Sequence, residues 1–286
     1  MVGKLILLLA LALCSPTLRE RRPTKAQDWL PEYVQRRKEE ERQQKENIKR
    51  AQQETIINPN SGEAFFILGE AYRINGGPTA EAAAEAYKRA IRLKPNYSEA
   101  YKGLAWAYGA LKQPQKRAEA LEQAIELNPN DAEAYCKLGD AYNEFDFGRQ
   151  LPPLPSEEEL KAAVEAHRKK AESAVEVYKQ AIAIKPGYAE AYSGLGSAYL
   201  FLQRKSDAIE AYTQAIEYDS HNPLIHVGLG YAYLHFRDYK AALEQHQAAI
   251  QLIENVKEPD ARSAYEIGAR MLLDRTKERI KEKKQR

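Results

Sequence analysis

Five histidines, His167, His221, His226, His235 and His246, and two cysteines, Cys14 and Cys136, are the residues of this chain best suited to metal binding or nucleophilic attack. Their spacing assembles no site. No two histidines are four residues apart, the separation that places two metal ligands on one helical face. A phosphate-cradling loop is also missing, because every glycine-rich pair except Gly76-Gly77 recurs at a regular interval along the chain. Catalysis requires a nucleophile with its base, paired acids in a pocket, or ligands at a workable spacing. The sequence offers none of these, so the reading is of a protein that is not an enzyme and takes neither cofactor nor metal.

The elements that carry these residues repeat. GEAFFILGEAY begins at 62, SEAYKGLAWAY at 98, AEAYCKLGDAY at 132, AEAYSGLGSAY at 189 and PLIHVGLGYAY at 223. Each is followed by a second segment, AYKRAIRLKP, ALEQAIELNP, VYKQAIAIKP, AYTQAIEYDS and QHQAAIQLIE in turn. Within the fourth copy, Tyr192, Leu195, Gly196 and Tyr199 stand at i, i+3, i+4 and i+7, which is one face of an α-helix. Small residues such as Gly196, Ala208 and Ala215 allow two helices to approach closely, and tyrosines fill the space around the contact. Pro95, Pro129 and Pro186 stop the second helix and turn the chain into the next unit. A single helical hairpin cannot bury its apolar face, so such units stack.

The pattern resembles the tetratricopeptide repeat family, whose period is 34 residues: the copies at 98 and 132, and those at 189 and 223, are each 34 apart. In the fourth copy Tyr192, Leu195, Gly196, Tyr199, Ala208, Tyr212 and Ala215 stand at the family's signature positions, with Ser220 in place of the terminal proline. Departures are Ala105 for glycine, Arg117 for the alanine at position 20, and His226 and His246 at aromatic positions, where a buried, hydrogen-bonded histidine is expected. The resemblance implies an all-α fold, a TPR-type α–α superhelix or solenoid of about five helical hairpins with a C-terminal capping helix. The repeats span 62–97, 98–131, 132–188, 189–222 and 223–256. A capping helix follows at 259–286, with Ala264, Tyr265, Gly268 and Leu272 toward the stack and a basic tail beyond. Residues 15–58 are an Arg-rich linker and a charged helix from about 28, in which Ile57 and Pro59 match the end of a lone second helix, a degenerate half repeat.

Family resemblance also implies a function. Tetratricopeptide repeats commonly hold a partner protein in the concave groove lined by positions 2, 5, 9, 12 and 13 of the first helices. Here those positions supply Phe66, Glu70, Lys102, Trp106, Asp140, Asn143, Phe201, Tyr231, Leu234 and His235, a groove running from acidic to apolar. The family members that clamp carboxylate termini use Lys at position 5 and Asn at position 9. Phe66, Glu70, Cys136 and Asp140 stand there instead, and acids repel such a ligand. The expected partner is a protein carrying a basic and apolar segment, bound by a non-catalytic scaffold or assembly factor, with Trp106 and Tyr231 as aromatic anchors.

The third copy is enlarged. Gly139 and Ala174, positions 8 and 20, are 35 residues apart where 12 are expected, placing an insertion at 145–170. LPPLP cannot continue a helix, and Ser156 with Glu159 has capping-box spacing, so a new helix starts at about 157 and continues to Pro186. Its early turns carry an apolar seam of Leu160, Val164 and His167. Either Phe145, Phe147, Leu151 and Leu154 fold over that seam, or it serves as a rib for another chain. Self-assembly through helix 157–184 or through the charged N-terminal helix is the alternative function.

The N-terminus, MVGKLILLLALALCSPT, has one cation, the apolar run Leu5–Leu13 and then small residues, the layout of a signal peptide over 1–14. Nine apolar residues are about half of the roughly 20 that a membrane-spanning helix needs. Cleavage after Ala12 or Cys14 and lipid attachment at Cys14 both remain open, because Leu11–Cys14 resembles a lipobox except at Leu13. The protein is therefore expected to be exported: periplasmic, envelope-anchored or secreted. The net charge is +2, but residues 19–54 and 274–286 carry the cationic excess. The body between them is mildly acidic, which argues against nucleic acid as a partner.

Overall fold

The computed structural model describes residues 30–74, 76, 79–144, 156–254 and 259–285. The leader, Cys14 and the insertion residues 145–155 lie outside this set. Among the described residues the chain forms twelve helices and no strand. A charged helix α1 (Leu30–Ile57) precedes five hairpins: α2 (Gly62–Ile74) with α3 (Ala80–Leu93), α4 (Ser98–Ala110) with α5 (Pro114–Leu127), α6 (Ala132–Asn143) with α7 (Glu157–Ile184), α8 (Ala189–Phe201) with α9 (Lys205–Tyr218), and α10 (Pro223–His235) with α11 (Tyr239–Glu254). Helix α12 (Pro259–Gln285) closes the array. Each helix packs on the next in sequence, and α12 packs on both α11 and α10. The first helices also touch one another, α2 on α4, α6 on α8 and α8 on α10, whereas the second helices make no comparable contacts. The stack therefore curves with its first helices inside.

One packing device recurs through the stack. Position 24 of each unit is a buried plug, in order Tyr87, Leu121, Tyr178, Tyr212 and His246, and the alanine three residues on, Ala90, Ala124, Ala181, Ala215 or Ala249, is fully buried. The plug sits between the glycine at position 8 of its own unit and the glycine at position 6 of the next. A Cβ added at Gly139 or Gly194 falls under 3 Å from the Tyr178 ring. In the second unit the plug is Leu121, a departure from the aromatic pattern, and the flanking positions are Ala105 and Lys137 rather than glycine. A smaller plug leaves room for both side chains.

The insertion enlarges a single hairpin. Ser156 caps α7: its Oγ accepts from the Glu159 amide at 3.2 Å while the Glu159 carboxylate accepts from the Ser156 amide at 2.7 Å. Because Ala174 occupies position 20, roughly 14 residues of α7 precede the part that pairs with α6, an overhang of about 21 Å. On that overhang Leu160 is 45% and Val164 47% exposed, while His167 is buried with Nδ1 at 2.7 Å from the Ala163 carbonyl. Helix α1 packs on α2 through Ala51 and Ile48 against Leu68 and Ala71, the place a second helix occupies in every other unit.

Of the cap residues expected to face the stack, Leu272 is half-buried, Gly268 is not part of the inward face, and the side chains of Ala264 and Tyr265 lie outside the described set. Gly268 is exposed with open space around it, whereas Ala269 and Thr276 are fully buried. The reason is the polar plug of the last unit. His246 is buried, and its Nδ1 lies 3.1 Å from Thr276 Oγ1, which in turn donates to the Leu272 carbonyl at 2.8 Å. Burying an imidazole without a partner is costly, so α12 turns a hydroxyl inward rather than an apolar side chain.

Candidate functional site

Positions 5 and 9 of the first helices line the inner wall. In the first two units they bound a groove of about 730 Å³ through Phe66, Glu70, Lys102 and Trp106, which Arg117 of α5 and Glu133, Lys137 and Glu144 of the third unit complete, whereas Cys136 and Asp140 do not line it. Phe66 is fixed by two rings, with centroids 4.9 Å from Tyr97 and 6.0 Å from Tyr87. The groove is not acidic overall: Glu70, Glu99, Glu133 and Glu144 are matched by Arg73, Lys102, Arg117 and Lys137. Most of these charges are already engaged. Arg73 bonds Glu70 at 2.6 Å, Lys102 bonds Asp131 at 2.7 Å and reaches Glu133 at 3.4 Å, and Arg117 pairs with Glu144. Arg117, read from sequence only as a departure from the repeat, is thus a groove residue.

Position 9 has a structural task that the sequence pattern hides. The Tyr87 hydroxyl donates to Glu70 at 2.6 Å, Tyr178 to Asp140 at 2.9 Å, and Tyr212 shares a hydrogen bond with Ser197 at 2.7 Å. Where the plug has no hydroxyl to satisfy, position 9 is aromatic. Leu121 accompanies Trp106, and His246, bonded to the cap instead, accompanies Tyr231. Two of the predicted groove acids are therefore ties between wall and core, and the two predicted aromatic anchors are the position-9 side chains released from that task.

The two carboxylates respond oppositely to their settings. Burial disfavours ionisation of Glu70, but hydrogen bonds from Arg73 and Tyr87 outweigh it and hold the carboxyl below its usual range. At Asp140 burial prevails and the value rises, although the Tyr178 hydroxyl, Lys137 and Arg117 act against it. Its cations stand 3.9 and 4.0 Å away, too far for the charge-assisted bonds that Glu70 receives.

The other predicted residues scatter. Asn143 is half-buried, with an Oδ1 that finds no hydrogen-bond partner among the described residues. Phe201 is half-buried, Leu234 is buried, Tyr231 is exposed, and His235 holds Gln203 through Nε2 at 2.9 Å. His226 bonds Gln245 through Nδ1 at 2.9 Å. Burial pushes the Cys136 thiol up to about 12, so it stays protonated at neutral pH. Among the described residues no group of three or more His, Cys, Asp and Glu side chains could hold a metal ion, and no helix is long and apolar enough to cross a membrane.

A second concavity, of about 600 Å³, lies at the opposite end of the inner wall, where Tyr231 and Leu234 of α10 face Arg275, Arg279 and Lys283 of α12. Arg237 also lines it. The sequence signal for this pocket was the four-residue spacing of those three cations along one stripe of a helix.

A stack of hairpins with plugs between close-packed small residues is a helical-repeat solenoid. Family models agree: one described as TPR repeat matches residues 118–144 and 162–203, and one described as Tetratricopeptide repeat matches 46–98 and 193–257. The chain belongs to the tetratricopeptide repeat family. No curated protein matches it. Similar solved structures include TTC0263, a thermophilic TPR protein of Thermus thermophilus, with 23% identity, 73% of this chain and 98% of that one covered, and a TM-score of 0.54. MamA from residue 41 to its end, from Desulfovibrio magneticus RS-1, gives 21% identity, 69% and 97% coverage, and a TM-score of 0.54. YrrB, described as a TPR protein with an unusual peptide-binding site, gives 15% identity, 72% and 93% coverage, and a TM-score of 0.50. At these identities the likeness is one of fold.

Proposed function

We propose that the protein is a non-catalytic scaffold or assembly factor that holds a segment of a partner protein against the inner wall, with an apolar residue on Trp106 and Phe66. The observation that carries this reading is the release of position 9: Trp106 faces the groove because Leu121 asks nothing of it. A peptide as the kind of ligand is supported by YrrB, a protein of like fold described as having an unusual peptide-binding site. Since Glu70 and Asp140 are tied to the plugs, a basic residue of the partner would find its carboxylate at Glu99, which is exposed at the groove's edge. A photo-crosslinker at Lys102, in the native host, is expected to capture the partner, and Trp106→Ala to cut the yield roughly tenfold. Capture from position 164 and none from 102 would move the partner to the overhang of α7.

Leu160 and Val164, each nearly half exposed on that overhang, favour self-assembly as a second reading. It predicts a mass that rises with concentration and falls to the monomer when residues 145–170 are deleted. We also propose export, on the leader's layout alone; fractionation of the native chain and of Cys14→Ser distinguishes a lipid-anchored from a free form.

A further inference from the structure

The pocket at the C-terminal end differs in charge from the groove at the N-terminal end. Four cations line it, Arg237, Arg275, Arg279 and Lys283, against a single carboxylate, Glu282, which Arg279 already holds at 2.9 Å. Arg237 and Arg275 make no ion pair among the described residues, and Lys283 stands 5.9 Å over the Tyr239 ring. A cation on the opposite side of α12 is engaged instead: Lys277, two residues from Arg275, pairs with Asp274 at 3.7 Å.

The cations are held in place. Thr276 is buried against His246, which fixes the rotation of α12, so Arg275 and Arg279 are carried to the edge of the α10 contact. Arg237 sits in a left-handed backbone conformation, φ 64°, that closes the α10–α11 turn. Cations gathered at one concavity repel one another, and a ligand that brings negative charge relieves that repulsion. Guanidinium groups match carboxylates with paired hydrogen bonds, and Tyr231 with Leu234 offers an apolar shelf beside them. A space of about 600 Å³ is far larger than a bare ion needs, and its inward-facing, concave placement denies it to a flat lipid surface.

We propose that this pocket binds an acidic segment of a partner protein, with its carboxylates on Arg237, Arg275 and Arg279 and a neighbouring apolar side chain on Tyr231 and Leu234. The site is separate from the Trp106 groove and does not depend on it. The test uses the purified full chain and a fluorescein-labelled peptide of about eight residues, Asp and Glu interspersed with Leu and Phe, read by anisotropy. The unmodified protein is expected to bind it, and to bind more weakly as salt rises from about 50 to about 500 mM. Arg275→Glu and Arg279→Glu are each expected to weaken binding roughly tenfold or more, and both together to abolish it. The two positions are exposed, so the melting curve is expected to stay unchanged, and Lys205→Glu, on α9, controls for net charge. Equal binding by the double variant, equal binding of the Asn/Gln version of the peptide, or binding only of inorganic phosphate or phosphatidylglycerol vesicles would overturn the assignment. Capture from position 102 is expected to persist in the double variant, so failure of the groove and failure of this pocket are read separately.

Discussion

The first and last units of the inner wall use the same hairpin to opposite ends. At the N-terminal end the charges belong to the fold: Glu70 accepts from the Tyr87 plug and from Arg73, and Arg117 pairs with Glu144. At the C-terminal end the plug is His246, its partner is Thr276 on the cap, and the arginines around Tyr231 are left outside the hydrogen-bonding scheme of the core. The difference teaches where to look for function in a repeat array. A polar side chain at a groove position is informative only after its debt to the core has been subtracted.

The comparison breaks most readily at a plug. Tyr178→Ala empties a fully buried site between Gly139 and Gly194 and is expected to cost about 3–5 kcal/mol by urea denaturation. A loss below about 1 kcal/mol would mean that the wall is not anchored through its plugs. Next comes the polar plug at the other end. Burial lowers the His246 imidazole to about 4, below the ordinary value near 6.5. As pH falls below about 6.5 the unfolded chain takes up a proton that the folded one refuses, so the stabilisation is whole above that pH and is lost progressively toward 4. The expected loss is roughly 2–3 kcal/mol, confined to α11 and α12 in hydrogen exchange, and His246→Gln should flatten the profile. An unaltered profile in that variant would place the sensitivity elsewhere.

The smallest effect sharpens the comparison within the N-terminal end. Glu70→Gln is expected to cost about 1 kcal/mol at neutral pH, a figure already reduced for the partial exposure of the ion pair. Because the folded-state value is depressed, that cost should disappear as pH falls below the ordinary carboxylate range. Asp140→Asn should be neutral or slightly stabilising at neutral pH, since burial already disfavours its charge. Calorimetric melts of the two variants at neutral and acidic pH separate these outcomes.

Much of the architecture was written in period and composition. Five copies of one motif, Pro95, Pro129 and Pro186 as stops, and the Ser156–Glu159 capping pair place the hairpins and the start of α7 within a residue or two. The tie between positions 9 and 24 was present as well, in the pairs Glu70 with Tyr87, Trp106 with Leu121, Asp140 with Tyr178, Ser197 with Tyr212 and Tyr231 with His246. It is not legible in either column alone, as groove or as core, because the hydrogen bond runs between columns. The cap departs from its sequence pattern for a related reason. Its apolar pattern suggested Gly268 as an inward residue, but the demand of a buried histidine 30 residues earlier set the rotation instead. The C-terminal pocket depends on that rotation and on a turn 38 residues before Arg275, a pairing that no local window contains.

That turn has a wider meaning. Gly76, Lys112, Gln203 and Arg237 all occupy position 15 and all have positive φ, from 55° to 90°. Each closes its hairpin at a cost of about 1 kcal/mol wherever the residue is not glycine. The third unit has no such turn among its described residues: α6 ends at Asn143, α7 begins at Glu157, and the two helices still pack as a pair. Position 15 is therefore a splice point, where chain can be added without disturbing either face of the hairpin. The array grows by repetition along its axis and by insertion at its rim, and the rim is where a scaffold of interchangeable units acquires a part that none of its other units possesses.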